Sequence, residues 1–152
     1  MTMKLTSPAF SLGEPIPARF TCDGDNLSPP MDWEGIPDHT EVLALVCEDP
    51  DASASNWVHW LIYNIPPGEP GLQAGIPPLQ KLHNGSLQGK NDFGHIGYGG
   101  PCPPRGKHRY SFRLYALDMP LELGPECTLP DLIVAMGGHI LDRAELVGTY
   151  QR

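Results

Sequence analysis

The chain is short of positive charge, of long apolar runs, and of any long stretch free of proline and glycine. Ten Lys and Arg stand against 18 Asp and Glu in 152 residues, a formal charge of -8. This argues against a non-specific nucleic-acid binder, whose affinity comes from neutralising phosphates. It leaves room for a small local anion site. No apolar run approaches the roughly 18 residues of a membrane-crossing helix. The opening MTMKLTSPAFSLGEP carries a single Lys and no apolar core. It does not read as a secretory signal, and a cytoplasmic location is expected. The punctuation by Pro and Gly also argues against a coiled coil. No C-x-x-C occurs among Cys22, Cys47, Cys102 and Cys127, which disfavours a zinc ribbon or a redox dithiol. The sequence does not choose among the possible pairings, and the expectation is four reduced thiols.

What is abundant is proline and glycine, with 18 and 17 residues. Alongside them the chain is 40% hydrophobic and only 18% charged, with 3 Trp, 5 Tyr and 4 Phe. Disorder is therefore a poor reading. A chain of this length buries about two thirds of its unfolded surface, and one domain over residues 1–152 is expected. The composition points to a loop-rich β protein.

Three windows lack both Pro and Gly: Asp38–Asp49, Asp51–Ile65 and Lys107–Met119. The first holds VLALVC (Val42–Cys47), an unbroken apolar run of strand length, as expected of a strand buried on both faces. The second holds WVHWLIYNI (Trp57–Ile65), rich in aromatic and β-branched residues. In the third, Tyr110, Phe112, Leu114 and Ala116 alternate with Arg109, Ser111 and Arg113, the period-two signature of a strand with one face in. Arg109 and Arg113 then form a solvated face. Near the C-terminus Thr128 is a candidate N-cap, Pro130 suits a first turn and Asp131 complements the helix dipole. The spacing of Leu132, Ile133, Met136 and Ile140 predicts a short helix over about Leu129–Leu141. Segments Thr21–Pro37, Pro66–Pro78 and His83–Gly106 read as loops.

Side chains two apart on an extended chain share a face. Three such pairs carry chemistry: Asp49 with Asp51 across Pro50, Trp57 with His59, and His108 with Tyr110. Brought together, they would form a pocket of imidazoles, carboxylates, a phenol and an indole. A carboxylate can orient an imidazole and favour its charged form beside an anion. Just upstream of His108, GGPCPPRG (Gly99–Gly106) combines close backbone approach with stiffness. Each element also has a plainer reading. Asp-Pro-Asp is a common turn, Trp57, Trp60 and Tyr110 suit a core, and His59 could be a hydrogen-bonded core residue. His39, His83, His95 and His139 have no obvious partner. Two His and two carboxylates could in principle hold a metal, but no compact ligand spacing supports one, so no metal or cofactor is expected. A hydrolase with His59 or His108 as base and Ser53 or Ser55 as nucleophile lacks a G-x-S-x-G elbow.

The two long motifs DPDASASNWVHWLIYNIP (Asp49–Pro66) and YGGPCPPRGKHRYSFRLYALD (Tyr98–Asp118) resemble those of the phosphatidylethanolamine-binding proteins. The likeness is to the bacterial branch labelled Raf kinase inhibitor-like. TCDGDNLSPPMDW (Thr21–Trp33), GKNDFG (Gly89–Gly94) and the C-terminal AMGGHILDRAELVGTYQR extend it over nearly the whole chain. The resemblance implies a Greek-key β-sandwich of two antiparallel sheets with a short C-terminal helix. It also implies an anion pocket for phosphate-bearing groups of the lipid-headgroup or nucleotide type. Carried over by position, Asp49 and Asp51 are its acids, His59 and His108 its imidazoles, and Trp57 and Tyr110 its aromatics, with Gly100, Pro101 and Cys102 at the mouth. Ser53 departs from the Pro common there, and the expectation is a less rigid pocket floor. The C-terminal extension of eukaryotic members has no counterpart after Gly-Thr-Tyr-Gln-Arg, which puts eukaryote-style kinase regulation in doubt. The expected protein is a non-enzymatic binder of a small phosphate- or carboxylate-bearing ligand. A kinase or protease inhibitor acting through its loops is the alternative, and a homodimer follows by analogy with bacterial relatives.

Overall fold

The computed structural model describes residues 2–52 and 56–152. Eight strands form two antiparallel sheets. The smaller joins β1 (Lys4–Thr6), β2 (Met31–Glu34) and β5 (Gly71–Leu72) in the order β1-β2-β5. The larger runs β6-β4-β3-β7-β8, from β6 (Leu87–Gln88), β4 (Trp57–Ile65), β3 (Val42–Asp49), β7 (Lys107–Leu117) and β8 (Ile140–Gln151). The chain leaves β4, visits the small sheet at β5, returns beside β4 as β6, and then crosses to the far side of β3 as β7. This crossing gives the sandwich its Greek-key character.

The apolar run of β3 is buried at every position, as expected for a strand covered on both faces. Alternation divides its side chains between two clusters. Leu43, Leu45 and Cys47 face the small sheet and pack with Met31, Trp33, Trp60 and Phe112. Val42, Ala44 and Val46 face the other way, towards Leu121, Cys127, Leu132 and Met136. Tyr110, Phe112, Leu114 and Ala116 of β7 are buried as the period-two pattern requires. Arg113 points outward and is ion-paired, reaching Glu145 at 2.9 Å and Glu48 at 3.2 Å.

The helix α1 (Leu129–Met136) covers the outer cluster. Its start is the expected one: the Thr128 N–H donates to Asp131 Oδ2 at 2.9 Å. Its end is earlier than the spacing predicts. Gly137 leaves helical geometry and Gly138 adopts φ +79°. The chain from Ile140 is then drawn into pairing with β7 along its length, Lys107 opposite Gln151 and Leu117 opposite Ile140. Charged residues disguise this strand, because Asp, Glu and Lys are depleted in strands yet favoured on exposed edges. The segments read as loops likewise contain the short strands β2, β5 and β6. His139 has a partner after all, its Nδ1 lying 2.8 Å from Asp118 Oδ1.

The expectation of four reduced thiols is overturned. Cys22 and Cys102 form a disulfide, with Cα atoms 5.4 Å apart and a sequence separation of 80. Two loops distant in sequence run side by side here. Cys22 N–H donates to Pro101 O, and the Tyr98 hydroxyl donates to Phe20 O. Cys47 and Cys127 are free and buried. Disulfides mark oxidising compartments and some thermophilic cytosols, so cysteine content carries no argument for a reducing one.

Two substitutions test this architecture by urea unfolding. Leu132→Ala empties the main apolar anchor of α1 and should cost about 2–5 kcal/mol. Cys22→Ser releases a long loop constraint and should cost about 2–5 kcal/mol. A loss well under 1 kcal/mol in either would contradict the corresponding packing or bridging role.

Candidate functional site

At the end of β3 the polar residues Glu48 and Asp49 are still buried. A buried carboxylate is costly unless paired and hydrogen-bonded, and both are paired. Asp49 Oδ2 lies 2.6 Å from His108 Nδ1, and Asp49 Oδ1 accepts the Asp51 backbone N–H at 2.8 Å. The second contact closes an Asx-type turn. The turn reading of Asp-Pro-Asp is therefore correct, and the turn leaves both carboxylates lining a cavity. Asp51 is equally committed. Its Oδ2 accepts the Arg109 backbone N–H at 2.9 Å and Nε–H at 3.0 Å, and its Oδ1 accepts Nη2–H at 2.8 Å.

His59 sits where β4 departs from regular pairing. Cys47 pairs with Trp60, but Glu48 pairs with Val58, so His59 is the extra residue of a β-bulge. Across it, Val58 packs in the outer cluster and Trp60 in the inner one. His59 itself is 3% exposed. Its Nδ1 donates to Gly99 O at 2.6 Å, while Gly99 N–H donates to His59 O at 2.9 Å. Burial pulls its pKa below the ordinary 6.5, against opposing pulls from the Gly99 backbone, Asp49, Asp92 and the Gly100 backbone.

Asp49, Asp51, Trp57, His59, Cys102, His108 and Tyr110 line one cavity of about 380 Å³. The sequence pairs thus converge. Gly100 and Pro101, expected at the mouth, are not among the residues that line the cavity; their backbone groups are turned to the neighbouring loop. Gly100 N–H donates to Asn26 Oδ1, and Pro101 O accepts from Cys22. Both glycines of this loop are dictated by close approach. A Cβ on Gly99 would stand 2.5 Å from the Phe93 ring, and one on Gly100 would stand 2.4 Å from Asn26 Oδ1. Trp57 is not core; it is 39% exposed at the rim. Trp60 is core and donates to Gln88 Oε1.

The wall contains residues that the alternation argument does not reach: Phe93, Pro103, Pro104 and Arg105. Phe93 meets Trp57 and His59 edge-on, at centroid distances of 5.6 and 5.3 Å. It is held by Asn91, whose Oδ1 accepts the N–H groups of Phe93 and His95. The GKNDFG motif is the available signal for this loop. Tyr110 stacks on His108 and meets His59 edge-on. Burial, then Asp49, raises its pKa, so the phenol keeps its proton. Arg105 makes no ion pair among the described residues. Among those residues no cluster of three or more His, Cys, Asp or Glu is arranged to hold a metal. Ser53 and Ser55 lie outside the described residues.

The Arg109 side chain, and next its backbone N–H, hold the Asp51 carboxyl down at about 2 against an ordinary 3.8. A group whose pKa is lower when folded stabilises above its unfolded value and loses that contribution as pH falls through the folded one. The pair is solvent-exposed and screened, so its worth is small. Asp51→Asn should lower the melting temperature by about 1–3 °C at pH 6. The difference should close as pH falls from about 4 to about 2. A gap constant over that range would mean that Asp51 does not act through its charge.

Comparison with known proteins supports the fold and extends over the same residues. Residues 6–151 match the family described as phosphatidylethanolamine-binding protein. A UPF0098 protein of Methanothermobacter thermautotrophicus is 51% identical over 150 residues, covering 99% of each chain. One from Chlamydia muridarum is 44% identical over 155 residues, again covering 99% of each. Among solved structures, the homolog CT736 from Chlamydia trachomatis superposes with a TM-score of 0.92 at 42% identity, covering 99% of this chain and 98% of that one. YbcL of E. coli, described as a new member of the mammalian family, gives 0.91 at 30% identity, covering 100% and 99%. With the two-sheet sandwich and the matched motifs, these findings lead to one conclusion: the chain belongs to the phosphatidylethanolamine-binding protein family.

Proposed function

We propose that the protein is a non-enzymatic binder of a small phosphate- or carboxylate-bearing ligand, held in the cavity between Asp49, His59, His108 and Tyr110. The observation that carries this reading is the commitment of both acids. Asp49 and Asp51 would repel an anion if their oxygens faced it. Instead both Asp49 oxygens are engaged by His108 and a backbone N–H, and both Asp51 oxygens by Arg109. Arg109 offsets the charge of Asp51, and the oxygens of Asp49 are turned to their own partners. The groups left for a ligand include the remaining nitrogen of His108, the Tyr110 hydroxyl and Arg105. Imidazolium, phenol and guanidinium all donate to oxyanions.

Family membership supports ligand binding in general, and the site chemistry favours binding over turnover. Among the described lining residues the nucleophile candidates are engaged: Cys102 in its disulfide, and the carboxylates in their pairs. The walls are braced by hydrogen bonds before any ligand arrives, which lowers the ordering cost of binding.

Isothermal titration with inorganic phosphate and with phosphoethanolamine tests the reading. Saturable binding is expected, weakened by His108→Ala by about tenfold or more, as when one charge-assisted contact is lost. Binding of equal strength in the variant, or none in the wild type, would overturn it.

A further inference from the structure

The two imidazoles of the cavity are not equivalent, and the difference specifies the ligand. His59 Nδ1 lies 2.6 Å from Gly99 O. A carbonyl oxygen has no hydrogen to give, so Nδ1 must carry one. The reciprocal bond from Gly99 N–H to His59 O clamps the same two residues along the backbone. Phe93 and Tyr110 hold the ring edge-on from two sides, at 5.3 and 5.2 Å. The ring therefore has no freedom to exchange its nitrogens. In the neutral ring a hydrogen on Nδ1 leaves Nε2 as an acceptor only. The neutral form is also the one that burial favours.

His59 Nε2 has no hydrogen-bond partner among the described residues. The only fully buried side-chain polar atom without a partner there is Ser86 Oγ, so Nε2 is reachable from the cavity that the ring lines. His108 is the complement. Its Nδ1 is held by a carboxylate rather than a carbonyl, at 2.6 Å. A carboxylate at that place compensates an imidazolium, the form that donates from both ring nitrogens, as a carbonyl does not. The cavity thus offers a lone pair from one imidazole and hydrogens from the other imidazole, the Tyr110 phenol and Arg105.

We propose that this cavity selects oxyanions that keep a proton on one oxygen, so that the ligand donates to His59 Nε2 while its bare oxygens accept from His108 and Tyr110. Hydrogen phosphate and phosphomonoesters that retain an acidic proton meet this requirement. Sulfate at neutral pH and simple phosphodiesters do not. A bare oxygen would face the His59 lone pair, and a buried acceptor left without a donor carries a real penalty. The inference rests on the binding reading above and narrows it to a ligand class.

Titration at about pH 5.5, below the second pKa of about 6 of a phosphomonoester, with four probes tests it: inorganic phosphate against sulfate, and methyl phosphate against dimethyl phosphate. The proton-bearing member of each pair should bind about tenfold or more tightly. His59→Gln, whose amide can turn a donor towards the cavity, should reduce that ratio. Independently of any variant, long-range proton–nitrogen NMR of the wild type should find His59 as the Nδ1–H tautomer. Sulfate binding as tightly as phosphate, with His108→Ala removing both, would overturn this inference and leave the binding reading intact. An Nε2–H tautomer would overturn it as well. If none of the probes binds, both readings fall.

Discussion

Every residue of β3 is buried, and it lies at the centre of the larger sheet. A strand with two apolar faces must be covered twice. Here the small sheet covers one face, while α1 and the segment leading into it cover the other. The same burial extends to the polar end of the strand, where little of Glu48 and Asp49 reaches solvent. Unpaired, each would carry a desolvation penalty of several kcal/mol. Arg113 answers Glu48, and His108 answers Asp49. The site is therefore a consequence of the layering. The carboxylate at the end of the buried strand has to be satisfied, and satisfying it aims an imidazole.

The abundant proline and glycine serve the same end. Glycines 99 and 100 allow one loop to lie against Phe93 on one side and against the Phe20–Asn26 backbone and side chains on the other. Asn26, Asn91 and the Cys22–Cys102 disulfide tie these loops together. Backbone groups that a long loop would otherwise leave unpaired find partners within the wall, as buried peptide groups must. The loop part of the cavity wall is thus braced although it lies outside the regular strands.

Legibility from the sequence followed the strength of local patterning. The strands β3, β4 and β7 are windows free of Pro and Gly with clear periodicity, and they stand almost where the pattern places them. Short β2, β5 and β6 are flanked by turn residues and have no period to detect over so few positions. In β8 the alternation is blurred by Asp142, Arg143 and Glu145, and the helical spacing of Ile140 with Met136 competes with it. Pairing with β7, a non-local term, decides the outcome. The Asp, Trp, His and Tyr residues that line the cavity are legible because i, i+2 spacing puts them in pairs. Phe93 and Arg105 are not, since each enters the cavity from a loop without periodicity.

Composition and pattern alone determined a β-rich fold, the identity of its three main strands, and which Asp, His, Trp and Tyr residues could meet. Only the tertiary structure decided what each of those groups can do. The bulge at His59 re-aims its ring, and the partner of its Nδ1 is a carbonyl contributed 40 residues later. The partner of His108 is a carboxylate 59 residues earlier. Likewise the disulfide joins loops 80 residues apart. Periodicity reports which face a side chain occupies. Whether an imidazole nitrogen gives or receives a hydrogen depends on the atom opposite it, and that atom is set by register and loop packing.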